Sequence, residues 1–251
     1  MECFIPLKRA ATPRLRLFML PHAGGGPSVF AEWSSSLPDI EYFAAQLPGR
    51  GARFQEPPLR RIEPLLEELT ASVTPLLNRP FLLFGHSFGA MVAFDLAHQV
   101  RSRTGLEPVA LVASGCAAPS CGRRGGPLRH LASDAELTTD LRRMGGTPPD
   151  VLGNADLMEL YLPALRADFE ILETRTAPER KPLTCPVIAV AGAHDDTVSD
   201  RELNAWRSVS SGPFEAQRFA GGHFYPPAAA AELIAFIVSR GSKLTAPAKG
   251  S

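Results

Sequence analysis

Residues 81–89 read Phe-Leu-Leu-Phe-Gly-His-Ser-Phe-Gly, an apolar run that leads directly into the pattern Gly-x-Ser-x-Gly. The run Phe81–Phe84 predicts a buried strand, and the residues after Gly89 predict a helix. A serine between such a strand and such a helix sits on a sharp, strained turn that exposes its hydroxyl. Gly85 and Gly89 suit this turn because a Cβ at either position would clash with neighbouring backbone. The stretch therefore predicts Ser87 as a nucleophile.

On both sides of this turn, short apolar runs alternate with longer helical patterns. Such alternation is typical of a parallel sheet covered on both faces, so the sequence predicts an α/β fold with a mostly parallel central sheet flanked by helices. The predicted strands are Leu15–Leu20, Phe81–Phe84, Val109–Ala113, Pro186–Ala191 and Glu215–Phe219, and the predicted helices are Glu63–Leu77, Phe88–Arg101, one that opens at Ser199, and Ala228–Val238.

The interval between the third and fourth of these strands is roughly seventy residues, too long for one crossover helix. It contains one helical pattern that begins at Ser133, with Glu136 completing a capping box, and a second from about Asp156 to Thr174. An apolar helix pair inserted late in a parallel sheet predicts a lid over a site. We therefore expect one domain over residues 1–251, with a core at about 13–115 and 180–240, a lid insertion at about 116–179 and a flexible tail at about 241–251.

A serine hydroxyl attacks only when a base takes its proton and an acid orients that base. His223 follows the last predicted strand in a Gly-Gly-His-Phe loop, which is the place for the base when the chain order is serine, acid, histidine. The acid is expected after the preceding strand, where the spacing Gly-x-x-Asp-x-x-Val selects Asp195 and leaves Asp196 as the alternative. The order Ser87, Asp195, His223 indicates the α/β-hydrolase fold.

The negative charge that develops on a substrate carbonyl needs two backbone N–H donors. One is expected from Phe88, the residue after the nucleophile. The other is expected from the Gly-rich loop Pro21–Gly26, with Ala23 as the first choice and Gly24 as the alternative. This loop does not extend to Gly-x-Gly-x-x-Gly and has no phosphate-loop lysine, so nucleotide binding is not indicated.

Composition and charge argue against several other classes. Lys plus Arg and Asp plus Glu number 26 each, so the chain lacks the excess of positive charge that is typical of a nucleic-acid-binding protein. No N-terminal signal pattern or membrane-length apolar stretch is visible, and we expect a cytoplasmic protein without membrane or nucleic-acid partners. Neither a zinc site nor a disulfide framework is predicted from the spacing of Cys3, Cys116, Cys121 and Cys185.

Several motifs together resemble the type II thioesterases, the free-standing editing enzymes of polyketide and non-ribosomal peptide synthesis. The resemblance covers about residues 13–240. One departure is Asp196, where similar sequences often carry proline after the acid. The motifs are Leu20–Gly26 (Leu-Pro-His-Ala-Gly-Gly-Gly), Leu47–Gly51 (Leu-Pro-Gly-Arg-Gly), Gly85–Ala90, Leu162–Asp168 (Leu-Pro-Ala-Leu-Arg-Ala-Asp), Asp195 with Val198, and Gly221–Phe224.

The resemblance implies an enzyme that hydrolyses acyl thioesters on the phosphopantetheine arm of an acyl or peptidyl carrier protein. The reaction would pass through an acyl-enzyme on Ser87 and would need neither a metal nor a redox cofactor. Two other functions remain open on the residues alone. One is a carboxylesterase or lipase on the same scaffold, and the other is a binding protein built on an inactive hydrolase fold.

The resemblance also implies how a substrate and a partner would be bound. The insertion would form a lid over a hydrophobic acyl chamber, and the lid helices would line it. Carrier proteins are typically acidic, so docking is expected on a locally basic surface despite the zero net charge. The candidate substrate-binding residues are Met144, Leu160, Leu165 and Phe169, and the candidate docking sites are Arg60–Arg61, Arg123–Arg124 and Arg142–Arg143.

Overall fold

One sheet organises the computed structural model, which describes residues 3–35, 37–123, 125–176, 179–224 and 227–244. Within these residues the strands are β1 (Phe4–Lys8), β2 (Leu15–Leu20), β3 (Ile40–Ala45), β4 (Phe81–His86), β5 (Ala110–Ser114), β6 (Val187–Gly192) and β7 (Phe214–Phe219). Their order in the sheet is β1-β3-β2-β4-β5-β6-β7. Every neighbouring pair is parallel except β1 with β3. The predicted mostly parallel sheet is confirmed.

Helices cover both faces of this sheet. Successive side chains of β2 alternate between two apolar cores, with Phe18 in one and Leu17 and Met19 in the other. The helices are α1 (Ile62–Val73), α2 (Phe88–Thr104), α3 (Asp134–Met144), α4 (Pro149–Leu152), α5 (Ala155–Thr174), α6 (Asp200–Asn204) and α7 (Pro227–Leu244), with 3₁₀ segments at Pro27–Ser35, Gly51–Arg53, Thr74–Leu76, Pro119–Cys121, Arg129–Leu131 and Ala205–Val209.

Two strands, β1 and β3, were not among the predicted elements. β3 is buried along its whole length, although it carries the charged residue Glu41. The carboxylate of Glu41 accepts a hydrogen bond from Arg16 Nε of β2 at 2.7 Å, and the two residues are register partners in the parallel pair. A charged residue inside a short apolar run argues against a buried strand when the sequence pattern is the only guide. The residue that neutralises Glu41 lies on another strand, so β3 was not predicted.

The insertion between β5 and β6 contains α3, α4 and α5. The capping box predicted at Ser133 and Glu136 opens α3, and α5 matches the second predicted helix to within one residue at its start. At the other end of the chain, α7 continues to Leu244, so the first residues that we assigned to the tail are helical. Residues 245–251 lie outside the described part of the chain.

Candidate active site

Ser87 occupies the turn between β4 and α2. Its φ and ψ are 55° and −115°, and it is the one non-glycine residue with positive φ in the described chain. A Cβ on Gly85 would lie 2.0 Å from the carbonyl oxygen of Gly89, and a Cβ on Gly89 would lie 2.2 Å from that of Leu20. The Ser87 N–H donates to the Ser114 carbonyl at the end of β5 at 2.7 Å. This is the strained turn that the Gly-x-Ser-x-Gly pattern predicts.

His223 and Asp195 meet at the ends of β7 and β6. Nδ1 of His223 lies 2.9 Å from Oδ2 of Asp195, and the two side chains are 8% and 0% exposed. The backbone N–H and the hydroxyl of Thr197 donate to the other carboxylate oxygen at 2.9 and 2.6 Å. Asp196 is exposed. Of the two candidate acids, only Asp195 contacts the histidine.

The charge of Asp195 determines which nitrogen of His223 carries the proton. Burial raises the pKa of Asp195, but hydrogen bonds from His223 and Thr197 and the positive charge of His223 outweigh it and lower that pKa to about 2. The carboxylate is therefore ionised at neutral pH and accepts a hydrogen bond from the Nδ1–H group of His223. Nε2 of the neutral ring is left as the acceptor.

Ser87 and His223 lie at the same edge of the sheet. The ring of His86, the residue before the serine, is 4.9 Å from the His223 ring between centroids, and its Nδ1 is 2.9 Å from Ser114 Oγ. In this conformation no hydrogen bond joins the two described side chains of Ser87 and His223. Such catalytic bonds are often long without substrate and tighten when it binds. The structure thus places Ser87, His223 and Asp195 at one edge of the sheet. The hydrogen bond between His223 and Asp195 is formed, and the one between Ser87 and His223 is not.

Two further imidazoles, His22 and His86, surround His223. The His22 ring is 4.8 Å from the ring of Phe224 and 6.0 Å from that of His86. Burial, assisted by the positive charges of His223 and Arg50, lowers the pKa of His22 to about 4. Burial and His223 likewise hold the pKa of His86 well below its usual value. Both rings are neutral at pH 7 and add no positive charge beside His223.

The Gly-rich loop after β2 forms a tight turn, in which the Gly25 N–H donates to the His22 carbonyl at 2.9 Å. The Gly24 N–H donates to Oδ2 of Asp168 at 2.7 Å. Neither the Ala23 N–H nor the Phe88 N–H has an acceptor among the described residues. Of the two candidate donors in this loop, the N–H of Ala23 is available and that of Gly24 is occupied.

Arg50 and Asp168 form a buried ion pair behind this loop that sequence reasoning missed. Nη1 and Nη2 of Arg50 lie 2.5 and 2.9 Å from the two carboxylate oxygens, and the side chains are 9% and 2% exposed. The Arg50 carbonyl accepts a hydrogen bond from Gln46 Nε2 at 2.7 Å. A signal existed, because both charged residues lie in motifs on which the resemblance rests, but nothing in the spacing paired them.

The insertion contacts the site at two places. A Cβ on Gly24 would lie 2.4 Å from the Tyr161 hydroxyl of α5, so this tyrosine packs directly against the Gly-rich turn. A Cβ on Gly146 would lie 2.2 Å from the ring of Phe224, the residue after His223. Each glycine thus lies close to an aromatic side chain of the other segment, so the insertion packs against the Gly-rich turn and against the histidine loop.

The four predicted substrate-binding residues do not share one environment. Leu165 and Phe169 are 1% and 6% exposed and belong to the main core, and Met144 packs partly buried against it. Leu160 is 51% exposed. Five residues along a helix correspond to about 140° of rotation, which places Leu160 on a different face of α5 from Leu165. The structure therefore does not group Leu160 with the others.

Within the described ranges, no group of three or more His, Cys, Asp or Glu residues is arranged to hold a metal ion. No helix in that part of the chain is long and apolar enough to cross a membrane. All four cysteines are free thiols.

Comparison with known proteins identifies the family of this chain. The family model for the thioesterase domain matches residues 15–240. Gramicidin S biosynthesis protein GrsT of Aneurinibacillus migulanus is 36% identical over 247 residues, which is 97% of this chain and 95% of that protein. Thioesterase PikA5 of Streptomyces venezuelae is 40% identical over 218 residues, 86% of this chain and 77% of that protein.

A solved structure extends the similarity to the fold. The type II thioesterase BorB from the borrelidin biosynthetic cluster superposes with a TM-score of 0.85 at 36% identity, over 95% of this chain and 96% of that one. The predicted resemblance and the α/β-hydrolase fold are thereby confirmed. The protein belongs to the thioesterase family of hydrolases, with the type II thioesterases of polyketide and non-ribosomal peptide clusters as its relatives.

Proposed function

We propose that this protein hydrolyses acyl thioesters from the phosphopantetheine arm of an acyl or peptidyl carrier protein, and so edits stalled or misprimed synthases or releases their acyl chains. The observation that carries the proposal is the convergence of a strained Ser87 with the His223–Asp195 pair, 2.9 Å between Nδ1 and Oδ2, at one edge of the sheet. We place the reaction in the cytoplasm, where its carrier-protein partners would be.

Ser87, His223 and Asp195 would act as a catalytic triad. Nε2 of His223 takes the proton of the Ser87 hydroxyl while Oγ attacks the thioester carbonyl carbon. The C–S bond breaks, His223 gives its proton to the departing thiolate, and the acyl group stays on Ser87 as an ester. Water, deprotonated by His223, then attacks this ester, the C–O bond to Ser87 breaks, and His223 returns the proton to Ser87 Oγ as the free acid leaves. Asp195 holds the Nδ1 proton and stabilises the imidazolium that forms twice in the cycle.

The Ala23 and Phe88 N–H groups would bind the oxygen that becomes negative in each tetrahedral intermediate. Phe88 is the first residue of α2, where the backbone N–H groups have no intrahelical partner and the helix dipole favours negative charge. Because the rings of His22 and His86 are neutral, they add no charge to the surroundings of His223. No metal or redox cofactor takes part in these steps.

The insertion would act as a lid, and its packing against Gly24 and Phe224 supports this role in a closed conformation. An acyl chain must then enter between the insertion and the sheet, so Phe169 and Met144 remain the candidate selectivity residues. Shortening either side chain should shift the preferred acyl length. A panel of carrier-bound acyl chains from acetyl to dodecanoyl tests this, and unchanged selectivity in both variants would contradict it.

Docking of the carrier is proposed on exposed arginines. Arg60 pairs with Glu170 at 3.0 Å and Arg143 with Asp140 at 3.3 Å, so both are partly neutralised within the chain. Arg142 donates to the Leu152 carbonyl at 3.3 Å and forms no ion pair with the described residues, so we choose it as the candidate to test. Arg123 donates to the Gly126 carbonyl, and Arg124 lies outside the described residues.

One comparison of substrates tests the proposed function. We expect the protein to hydrolyse an acyl group on a carrier protein faster than the same acyl group in a matched oxyester, because the thiolate is the better leaving group and the carrier adds binding energy. Arg142→Glu should raise KM for the carrier substrate and leave KM for a small acyl thioester unchanged. Faster turnover of the oxyester, or no turnover of any thioester, would reject the proposal.

A further inference from the structure

The buried ion pair between Arg50 and Asp168 takes no part in the reaction steps above, yet it contacts the loop that carries Ala23. It joins three separate segments: the loop after β3, the insertion helix α5 and the turn after β2. Replacing a buried ion pair by apolar residues of similar volume is often neutral for stability. The pair therefore calls for an explanation other than the stability of the fold.

The geometry of the turn shows what the pair holds. The hydrogen bond from Gly25 N–H to the His22 carbonyl makes Ala23 and Gly24 the central residues of a four-residue turn. Gly24 has a φ of +74°, as the second central position of a type II turn requires. Asp168 accepts the Gly24 N–H at 2.7 Å, so its carboxylate sets the direction of the peptide plane next to the Ala23 Cα.

Arg50 in turn sets the position of this carboxylate. Its guanidinium binds both oxygens of Asp168, a bidentate contact that fixes distance and plane together. The backbone of Arg50 is itself held by Gln46. With the carboxylate fixed, the acceptor for Gly24 cannot rotate away, and the turn has one orientation while α5 is in place.

We propose that Asp168, clamped by Arg50, is a positioning residue that orients the Ala23 N–H toward the substrate carbonyl oxygen. This inference rests on the proposed function. Because Asp168 belongs to the insertion, the oxyanion hole is complete only while α5 is docked on the turn. The oxyanion donor matters most when the carbonyl oxygen becomes negative. Loss of the Arg50–Asp168 pair, which we call the clamp, should therefore lower kcat and leave substrate affinity nearly unchanged.

The chain offers a matched control on the same helix. Glu170 lies two residues after Asp168 and pairs with Arg60 at 3.0 Å, so it also ties α5 to the core. That pair is exposed and does not touch the Gly24 turn. Glu170→Gln removes one ion pair of the insertion and leaves the clamp intact.

The experiment measures kcat and KM with an acyl-carrier substrate, inhibition by a trifluoromethyl ketone analogue of the thioester, and thermal unfolding. The double variant Arg50→Met/Asp168→Leu replaces the pair by apolar side chains and should remain folded. We expect its kcat to fall about 100-fold, as for loss of an oxyanion donor, with KM within about 3-fold. Affinity for the ketone, which forms a tetrahedral adduct with serine, should fall in parallel with kcat. Glu170→Gln should change neither by more than about 2-fold.

Arg50→Lys keeps the positive charge but cannot bind both carboxylate oxygens of Asp168 at once. This variant replaces the double variant in the test if the double variant does not fold. We expect about a 10-fold loss in kcat with an unfolding temperature close to that of the wild type. The inference is overturned if folded variants keep kcat within about 3-fold, or if ketone affinity is unchanged while kcat falls. An inactive wild-type protein would reject the proposed function instead, so the two failures are distinguishable.

Discussion

The two halves of the candidate active site are built in different ways. Ser87, Asp195 and His223 each lie within four residues of the end of a strand, and the sheet itself positions them. The Gly-rich turn also follows a strand, but its orientation depends on Asp168, 144 residues away along the chain. In the proposed mechanism, the groups that act on protons and bonds are thus placed locally, whereas one of the two oxyanion donors, the Ala23 N–H, is placed by the insertion. On this proposal, the insertion controls catalysis without contributing a reacting group.

The largest expected effect is on the locally built half. Ser87→Ala removes the attacking oxygen, and we expect turnover of an acyl-carrier thioester to fall roughly 10⁴–10⁶-fold. Stability should be retained, since the side chain makes no hydrogen bond in the described structure. Steady-state hydrolysis with thermal unfolding as the control measures both. A loss below about 10-fold would mean that the strained serine is not the nucleophile.

The next effect separates the two neighbouring carboxylates. Asp195→Asn should lower kcat about 10³–10⁴-fold, because an amide N–H can donate a hydrogen bond to Nδ1 and so favours the wrong tautomer of His223. Asp196→Asn changes an exposed side chain and should alter kcat by less than about 2-fold. Equal losses in the two variants would contradict the assignment of the acid.

A pair of glycines tests the turn. Gly24→Ala adds a Cβ at a φ of +74° and within 2.4 Å of the Tyr161 hydroxyl, so we expect about a 10-fold loss in kcat and about 1–2 kcal/mol of stability. Gly26→Ala meets no atom within 4 Å and should be close to neutral. If Gly24→Ala were as active as Gly26→Ala, the turn would not need the orientation described above.

The smallest effect concerns pH. The pKa of His22 is lowered from 6.5 to about 4, so the folded state keeps this ring neutral while the unfolded state binds a proton below pH 6.5. Wild-type stability therefore falls as pH decreases from 6.5 toward 4, and His22→Gln lacks this loss. Between pH 7 and pH 5, the free energy of unfolding measured in urea should fall by about 2 kcal/mol more for the wild type than for the variant. Parallel curves would show that His22 is not held neutral.

The sequence predicted the locally built half well because its signals are short. A strand, a glycine-flanked serine and a helix lie within one stretch, and the acid and the base follow later strands in a fixed chain order. Asp195 was preferred over Asp196 from spacing alone, and the structure places it against His223. Thr197, which donates to the same carboxylate, was missed because a hydroxyl near a turn has no distinctive pattern.

The other half could not be predicted in the same way. Asp168 and Arg50 are ordinary charged residues in their own segments, and only the fold brings them to Gly24. Leu160 shows the converse limit, since a helical apolar pattern predicts that a face is buried but not which residues at its margin are exposed. Long-range ion pairs and the margins of amphipathic helices both depend on packing that no local pattern contains.

Trapping the intermediate tests the central claim most directly. The protein is mixed with an acyl-carrier thioester, quenched with acid within the first turnover, digested and analysed by mass spectrometry. The account predicts the acyl mass on the peptide that contains Ser87, and no such mass in Ser87→Ala. Free acid released with no adduct on that peptide, or an adduct on a cysteine such as Cys116 or Cys121, would contradict it.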